Sequence, residues 1–267
     1  MPQSLRIASV NVNGIRAAER KGFSPWLESA TPDILTLQEV RAPREHLDRL
    51  LEGWHVLEEE SPYKGRAGVA LASRAEPVAS RTMIGGEDAD SQGRWLEVDF
   101  DVNGTRLTVV SAYVHSGEVD TPKQDRKWAF LDAMTTRLAE LSQDGALAVV
   151  TGDLNVGHRE LDIKNWRGNV KRAGFLPRER AYFDDWLCAD GATWVDVGRK
   201  LSGEVDGPYT WWSNRGQAFD NDTGWRIDYQ LATTPLADRA TAYRVDRAPS
   251  YDARWSDHAP VVVDYAF

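Results

Sequence analysis

The chain is predicted to fold as an α/β sandwich, with two β-sheets face to face and helices outside, and three observations carry that expectation. Short β-rich runs recur along the 267 residues, and several alternate apolar with polar positions, as strands with one covered face do. Helical patterns fall between these runs. No linker, repeat or low-complexity stretch interrupts them, so residues 1–267 read as a single domain.

In chain order, "LRIASVNV" and "DILTLQEV" read as strands, "APREHLDRLLEG" as a short helix, and "GVALASR" as a further strand. "RWLEVDFDV" and "RLTVVSAYV" meet at Asn103-Gly104, a pair suited to the positive φ angles of a tight hairpin turn. In "TPKQDRKWAFLDAMTTRLAELSQ", Trp128, Leu131, Thr135, Leu138 and Leu141 share one side at steps of three or four, and Pro122 suits a first turn. "ALAVVTGDL" is the next strand. "RERAYFDDWLCAD" is a helix candidate whose Cys188 is expected to be a buried structural thiol. "YTWW", "RIDYQLAT", "TAYRVDR" and "PVVVDYAF" complete the strand set and place the C-terminal run in the core.

Composition is ordinary for a globular protein, with 42% hydrophobic and 27% charged residues. No apolar run reaches the ~20 residues of a membrane span. The N-terminus lacks the basic and apolar regions of a secretory signal. The single cysteine suits a reducing compartment, so a cytoplasmic protein is expected. A net charge of −9 and a pI near 5.1 argue against indiscriminate nucleic-acid binding. Arg159 to Arg180 breaks that trend: seven Lys and Arg face three acids, a local surplus of four positive charges. Such a window is either a solvated loop or a phosphate-binding rim on an acidic body.

Chemically capable residues stand at the strand ends: Asn11 and Asn13, Glu39, Tyr113 and His115, Asp153 and Asn155, Asp228, then Asp257 and His258. Strand ends project side chains from a rigid scaffold into a shared mouth. Ser256, Asp257 and His258 do not form a triad among themselves, because neighbours on an extended segment point to opposite sides. Their partners must come from elsewhere. No Cys/His spacing suits zinc, and "GDLN" lacks the glycines of a phosphate loop. Glu39 and Asp257 offer hard oxygen ligands, with Asn11 as a neutral one, which suits Mg²⁺ with Mn²⁺ as a substitute. Gathered carboxylates repel one another, and a divalent cation removes that penalty. With a phosphate sharing the ion, the donor set suits hydrolysis of a phosphate ester.

The series "SVNVNGIRA", "LTLQEV", "YVHSG", "VVTGDLNV", "GFLPRER", "YTWW", "GWRIDY" and "WSDHAPVVV" resembles the exonuclease III / abasic-site endonuclease family of the endonuclease–exonuclease–phosphatase superfamily. The motifs stand in the family's order from Leu5 onward. The resemblance implies a four-layered α/β sandwich and a Mg²⁺-dependent DNA repair phosphodiesterase. That enzyme would incise 5′ to abasic sites in double-stranded DNA, clean blocked 3′ ends and act as a 3′→5′ exonuclease. Separately, a monomer with no membrane partner is expected.

By the same resemblance, Glu39 and Asp257 hold the metal with Asn11 nearby. Asp153 orients or deprotonates the attacking water, and Asn155 helps to fix it. His258, held by Asp228, binds a phosphate oxygen, and Tyr113 contacts the phosphate or the leaving group. Either Asp153 or the His258–Asp228 pair could be the general base. Asn169 and Lys171 are the implied phosphate contacts. Trp211, Trp212 and Trp225 would wall a pocket for an extruded abasic sugar, cheap to flip because the missing base leaves little stacking to lose.

Two departures stand out. Asn13 replaces an Asp common in the family, and His115-Ser116 replaces Pro-Asn. For His115, a phosphate contact and a surface or hydrogen-bonded histidine both fit. The rival functions are a superfamily phosphatase on a small or lipid phosphoester, and a non-catalytic DNA-binding member.

Overall fold

The computed structural model describes residues 4–82, 84 and 91–267. Its first half runs β1 (Ser4–Asn11), α1 (Ile15–Lys21), α2 (Phe23–Ala30), β2 (Ile34–Gln38), α3 (Arg44–Leu50), β3 (His55–Glu59), β4 (Val69–Ser73), β5 (Ala79–Thr82), β6 (Trp95–Val102) and β7 (Thr105–Tyr113). There follow α4 (Pro122–Leu141), β8 (Leu147–Asp153), α5 (Pro177–Leu187), β9 (Trp194–Asp196), α6 (Val197–Ser202), β10 (Asp228–Thr233), α7 (Thr234–Ala237), β11 (Ala240–Val245) and β12 (Val261–Ala266).

Two six-stranded sheets result, in the orders β11-β12-β1-β2-β4-β3 and β5-β6-β7-β8-β10-β9. Each has one parallel pair, β1 with β2 and β7 with β8, and is otherwise antiparallel. Between the sheets lie Ile7, Leu71, Val98, Val109, Val149 and Val263, all at most 1% exposed. Polar links also cross this layer: Thr36 and Thr151 hydroxyls meet at 2.7 Å, and Gln38 donates to Ser111 at 3.0 Å. The outer faces pack on helices. Phe130, Leu131, Met134 and Leu138 of α4 and Phe183 and Trp186 of α5 cover one sheet, and α1, α2 and α3 cover the other. The predicted four-layered sandwich is the observed architecture.

Local expectations hold where pattern and packing agree. Asn103 and Gly104 take φ of 55° and 79° between β6 and β7, as a hairpin turn of this kind requires. In α4, Thr121 caps the N-terminus by accepting from the Lys123 amide, and Pro122 begins the first turn.

Two expectations need correction. Cys188 is exposed, because α5 ends at Leu187 and the thiol leaves from the helix terminus. "YTWW" does not form a strand; only Trp211 pairs there, through single bridges to Trp225 and His258. Among the described residues, no helix is long and apolar enough to cross a membrane.

The topology gathers the strand ends. β1 and β2 are parallel, so Asn11 and Gln38 pair at their C-terminal ends, with Glu39 next in the chain. β7 and β8 are parallel and end together at Tyr113 and Asp153. β10 runs antiparallel to β8 and therefore starts there, with Asp228 opposite Asp153. β12 runs antiparallel to β1, which brings Asp257 and His258, just before it, to the same edge.

Candidate active site

Asn11 stands at the centre of the mouth. Its Nδ2 donates to Glu39 Oε1 at 2.8 Å and to Asp153 Oδ2 at 2.9 Å, while its Oδ1 accepts from the Asn13 amide. Asn11 was expected as a neutral oxygen ligand. Here its nitrogen faces the carboxylates, so it spaces the donor set instead of joining it. Asn13 Nδ2 donates to Asp257 Oδ1 at 2.8 Å, and Trp211 Nε1 donates to Asp257 Oδ2 at 3.1 Å. Asn13, standing where an Asp is common, thus supports a carboxylate and adds no charge.

On the other side of Asp153 lies the expected Asp–His pair. His258 Nδ1 stands 2.9 Å from Asp228 Oδ2, and Thr210 Oγ1 donates to the same Asp228 oxygen at 2.6 Å. His258 Nε2 is 3.8 Å from Asp153 Oδ2, too far for a direct hydrogen bond. Ser256 anchors this segment: its hydroxyl donates to the Asn11 carbonyl at 2.7 Å and accepts from the His258 amide. Asp153 Oδ1 accepts from the Asn155 amide, and Asn155 Nδ2 donates to the Val114 carbonyl.

These contacts set the protonation states. Burial works against a charge on His258, but Asp228 and Asp153 outweigh it and lift the imidazolium pKa to about 10. Asp153 is pushed up to about 7, first by burial and then by Asp228 and Glu39, against the pull of His258. Asp257 sits below its ordinary value although burial opposes this, because His258, Trp211 and Asn13 favour its ionised form. Burial, followed by the charges of Glu39 and Asp153, holds the Tyr113 hydroxyl protonated, and the guanidinium of Arg94 lies 4.6 Å from its ring centre.

The donors fit a hard divalent cation. Glu39, Asp153, Asp228 and Asp257 meet at one mouth against the charges of His258 and Arg41, and Arg41 pairs with Glu39 Oε2. Ligand atoms of Asp153, Asp228 and His258 also lie within 4.8 Å of one another. However, Asp228 is committed to His258 and Thr210, and a protonated imidazole has no lone pair to give. Glu39, Asp153 and Asp257 are therefore the carboxylates of the mouth left free to meet such an ion.

The aromatic wall is smaller than expected. Trp211 and Trp225 are half-buried and perpendicular, with ring centroids 6.1 Å apart, and Trp211 lies 6.4 Å from the His258 ring. Trp212 is 1% exposed, packs against Phe219 and donates to Asp222. Its expected DNA contact is corrected, because the ring packs into the interior against Phe219. His115 is also buried, edge-on to Phe130, and burial with nearby Arg94, Arg126 and Lys127 pushes its pKa down to about 3. It is a neutral interior histidine.

In the basic window, Lys171 is exposed and Asn169 Nδ2 donates to the Asn165 carbonyl. Other cations there are already engaged: Arg159 with Glu204, Lys164 with Asp206, and Arg178 over Trp128.

Several supporting residues carried no signal in the motifs. Lys127, fully buried, pairs with Glu179 at 2.7 Å and donates to the Asn155 carbonyl at 2.8 Å. Gly174, at φ +93°, lets the basic loop press against Trp225, whose ring would lie 2.9 Å from an added Cβ. A lysine in an amphipathic helix reads as a solvated one, and Thr210 is hidden between two aromatics. Gly174 was legible only as the first residue of "GFLPRER".

The model of the Endonuclease/Exonuclease/phosphatase family matches residues 8–258. The chain belongs to this family. It is 33% identical over 258 residues to an exodeoxyribonuclease of Bacillus subtilis, covering 96% of this chain and 98% of that one. It is 31% identical to the DNA repair nuclease APEX1 of Danio rerio, covering 97% and 82% respectively. Among solved structures, an AP endonuclease from Archaeoglobus fulgidus superposes with a TM-score of 0.85 at 30% identity, covering 98% of this chain and 99% of its own. A 3'-5' exonuclease from Neisseria meningitidis gives 0.84 at 28% identity, covering 98% and 100%.

Proposed function

We propose that the protein is a Mg²⁺-dependent DNA repair nuclease that hydrolyses the phosphodiester 5′ to abasic sites. It also removes blocking groups from 3′ ends and degrades duplex DNA from 3′ to 5′. One observation carries the reading: a carboxylate with a pKa near neutrality, Asp153, faces a cationic imidazole, His258, across 3.8 Å, between a carboxylate set for a metal and a partly exposed aromatic wall. Of the structural relatives, one is described as a 3' phosphatase bound to a product DNA hairpin, which favours the end-cleaning activity.

Each residue then has a chemical task. Asp153, ionised near neutral pH and fixed by Asn11 and the Asn155 amide, orients the attacking water and takes its proton. His258 keeps its proton and presents Nε2–H to a non-bridging phosphate oxygen, where negative charge grows as the water adds. Asp228 and Thr210 hold that ring in place. Tyr113 keeps its hydroxyl proton and donates to the phosphate or the departing oxygen. Glu39 and Asp257 would hold a Mg²⁺ ion, which would supply charge neutralisation at the phosphate. Trp211 and Trp225 shelter the base-free sugar, and Lys171 and Asn169 meet the backbone beyond it. The enzyme is proposed to act as a monomeric single catalytic domain in the cytoplasm.

The test is a duplex bearing one abasic analogue, incubated with protein in Mg²⁺ and in EDTA. Incision 5′ to the lesion in Mg²⁺ alone is expected. Folded protein that leaves the duplex intact in both buffers would end this reading.

A further inference from the structure

Away from the catalytic mouth, metal-ligating side chains of different chemistry meet once more among the described residues. His158, Asp184 and Cys188 each offer a donor atom, and these atoms lie within 4.8 Å of one another. Asp184 and Cys188 are one helical turn apart at the end of α5, where the Cys188 amide donates to the Asp184 carbonyl at 2.9 Å, so both side chains leave on one side. His158 comes from the segment after β8. Its side chain is 6% exposed and stacks on Phe183 with ring centroids 5.6 Å apart, and its Nε2 stands 2.8 Å from Asp184 Oδ1. A cavity of about 570 Å³ adjoins the three, lined also by Arg159, Trp166 and Arg180.

We propose that His158, Asp184 and Cys188 form a binding site for a borderline-soft divalent cation of the Zn²⁺ class, with a further coordination position open to the cavity. An imidazole, a thiolate and a carboxylate are donors that Zn²⁺ and Co²⁺ accept, whereas Mg²⁺ avoids sulfur. One buried histidine fixes the site, and the two helix-borne ligands close on it. The charges also balance, since a neutral imidazole, a carboxylate and a thiolate together offset a double positive charge. Of the cations lining the cavity, Arg159 is held by Glu204 through two contacts of 2.7 Å, and Arg180 Nε donates to the His158 carbonyl at 2.7 Å. The thiol gives its proton to solvent when the ion binds. The donors differ from the all-oxygen set of Glu39 and Asp257, and the proposal does not depend on DNA being the substrate.

Because Cys188 is the only cysteine, any thiolate-to-metal absorption must come from it. Protein held in excess Mg²⁺ is titrated with Co²⁺ and followed in the near ultraviolet and visible. A thiolate-to-cobalt band saturating at one Co²⁺ per chain and displaced by Zn²⁺ is expected. Cys188→Ser should abolish the band while leaving Mg²⁺-dependent DNA incision unchanged. Asp184→Asn, at a side chain 64% exposed and therefore safe for folding, should weaken Co²⁺ binding about tenfold or more, and His158→Gln should do the same. Absence of the band in the native chain would refute the site. So would a band whose midpoint is unmoved by both ligand variants, or one that saturates at one Co²⁺ per two chains.

Discussion

Replacing Asp228 by Asn keeps the volume of the side chain but removes the charge that most strongly favours the His258 imidazolium. Burial disfavours that cation, yet the surrounding carboxylates lift it from 6.5 to about 10. This net rise corresponds to ~5 kcal/mol at ~1.4 kcal/mol per unit. Asp228 is the largest favourable contribution, so its loss should return His258 to near or below its ordinary value and leave the ring mostly neutral at roughly pH 8. A neutral ring stabilises phosphate charge poorly, and single-turnover incision of an abasic duplex should fall ~10²–10³-fold. The native rate should rise as Asp153 ionises around its value of about 7 and fall as His258 loses its proton around 10. In Asp228→Asn the alkaline fall should move to near neutrality. The sign for stability is the same: a raised histidine pKa contributes fully below about 6.5 and is lost as pH rises through about 10. Rate profiles at saturating Mg²⁺, measured from roughly pH 6 to 10, decide the matter. An alkaline limb left in place in the variant would refute the reasoning.

Trp211→Phe removes the hydrogen bond to Asp257 while keeping an aromatic wall, so about 1 kcal/mol of positioning should be lost; direct Mg²⁺ binding measured by calorimetry should weaken several-fold. Lys171→Ala should raise the apparent Kd for duplex DNA and lower its salt-dependence slope by about one, leaving the rate at saturation unchanged. Asp162→Ala removes the carboxylate that the fully buried Arg226 Nε meets at 2.7 Å and leaves that guanidinium only its two contacts with Asp196, and urea denaturation should report a loss of about 2–3 kcal/mol. Arg226 and Arg199 lower the Asp162 pKa although burial opposes them. Its contribution is therefore present above the ordinary carboxylate value and disappears as pH falls through the folded one, a loss that acid titration of the native chain should show and the variant should lack. Gly174→Ala combines a φ of +93° with a Cβ 2.9 Å from the Trp225 ring; incision of abasic DNA should drop more than exonuclease digestion, and an equal drop in both would argue against a pocket at Trp225.

Most of the catalytic mouth was legible in the linear chain, because strand ends announce themselves. An apolar run that stops at Asn11, Glu39, Tyr113 or Asp153 marks a polar side chain on a rigid edge. The thirty-residue separation of Asp228 and His258 was bridged by motif resemblance, and both side chains meet at 2.9 Å. Burial was less legible. "YTWW" offers two equivalent tryptophans, and only the packing of Phe219 shows that Trp212 belongs to the interior. The burial of Lys127 carried no signal, and His115 fitted several positions, because a linear chain does not show what covers a residue. Cys188 read as buried because the helix was extended past its true end.

The sequence by itself determined which chemical groups are present, how strands and helices alternate, and that hard oxygen donors collect at strand ends. These are local properties, set by side-chain type and by the periods of strand and helix. Only the tertiary structure decided which way the Asn11 amide faces, that Asp153 and His258 stand apart across 3.8 Å, and that His158 meets Cys188. Hydrogen-bond direction, burial and proton affinity depend on neighbours brought in from far along the chain, and those neighbours exist only once the sheets have packed.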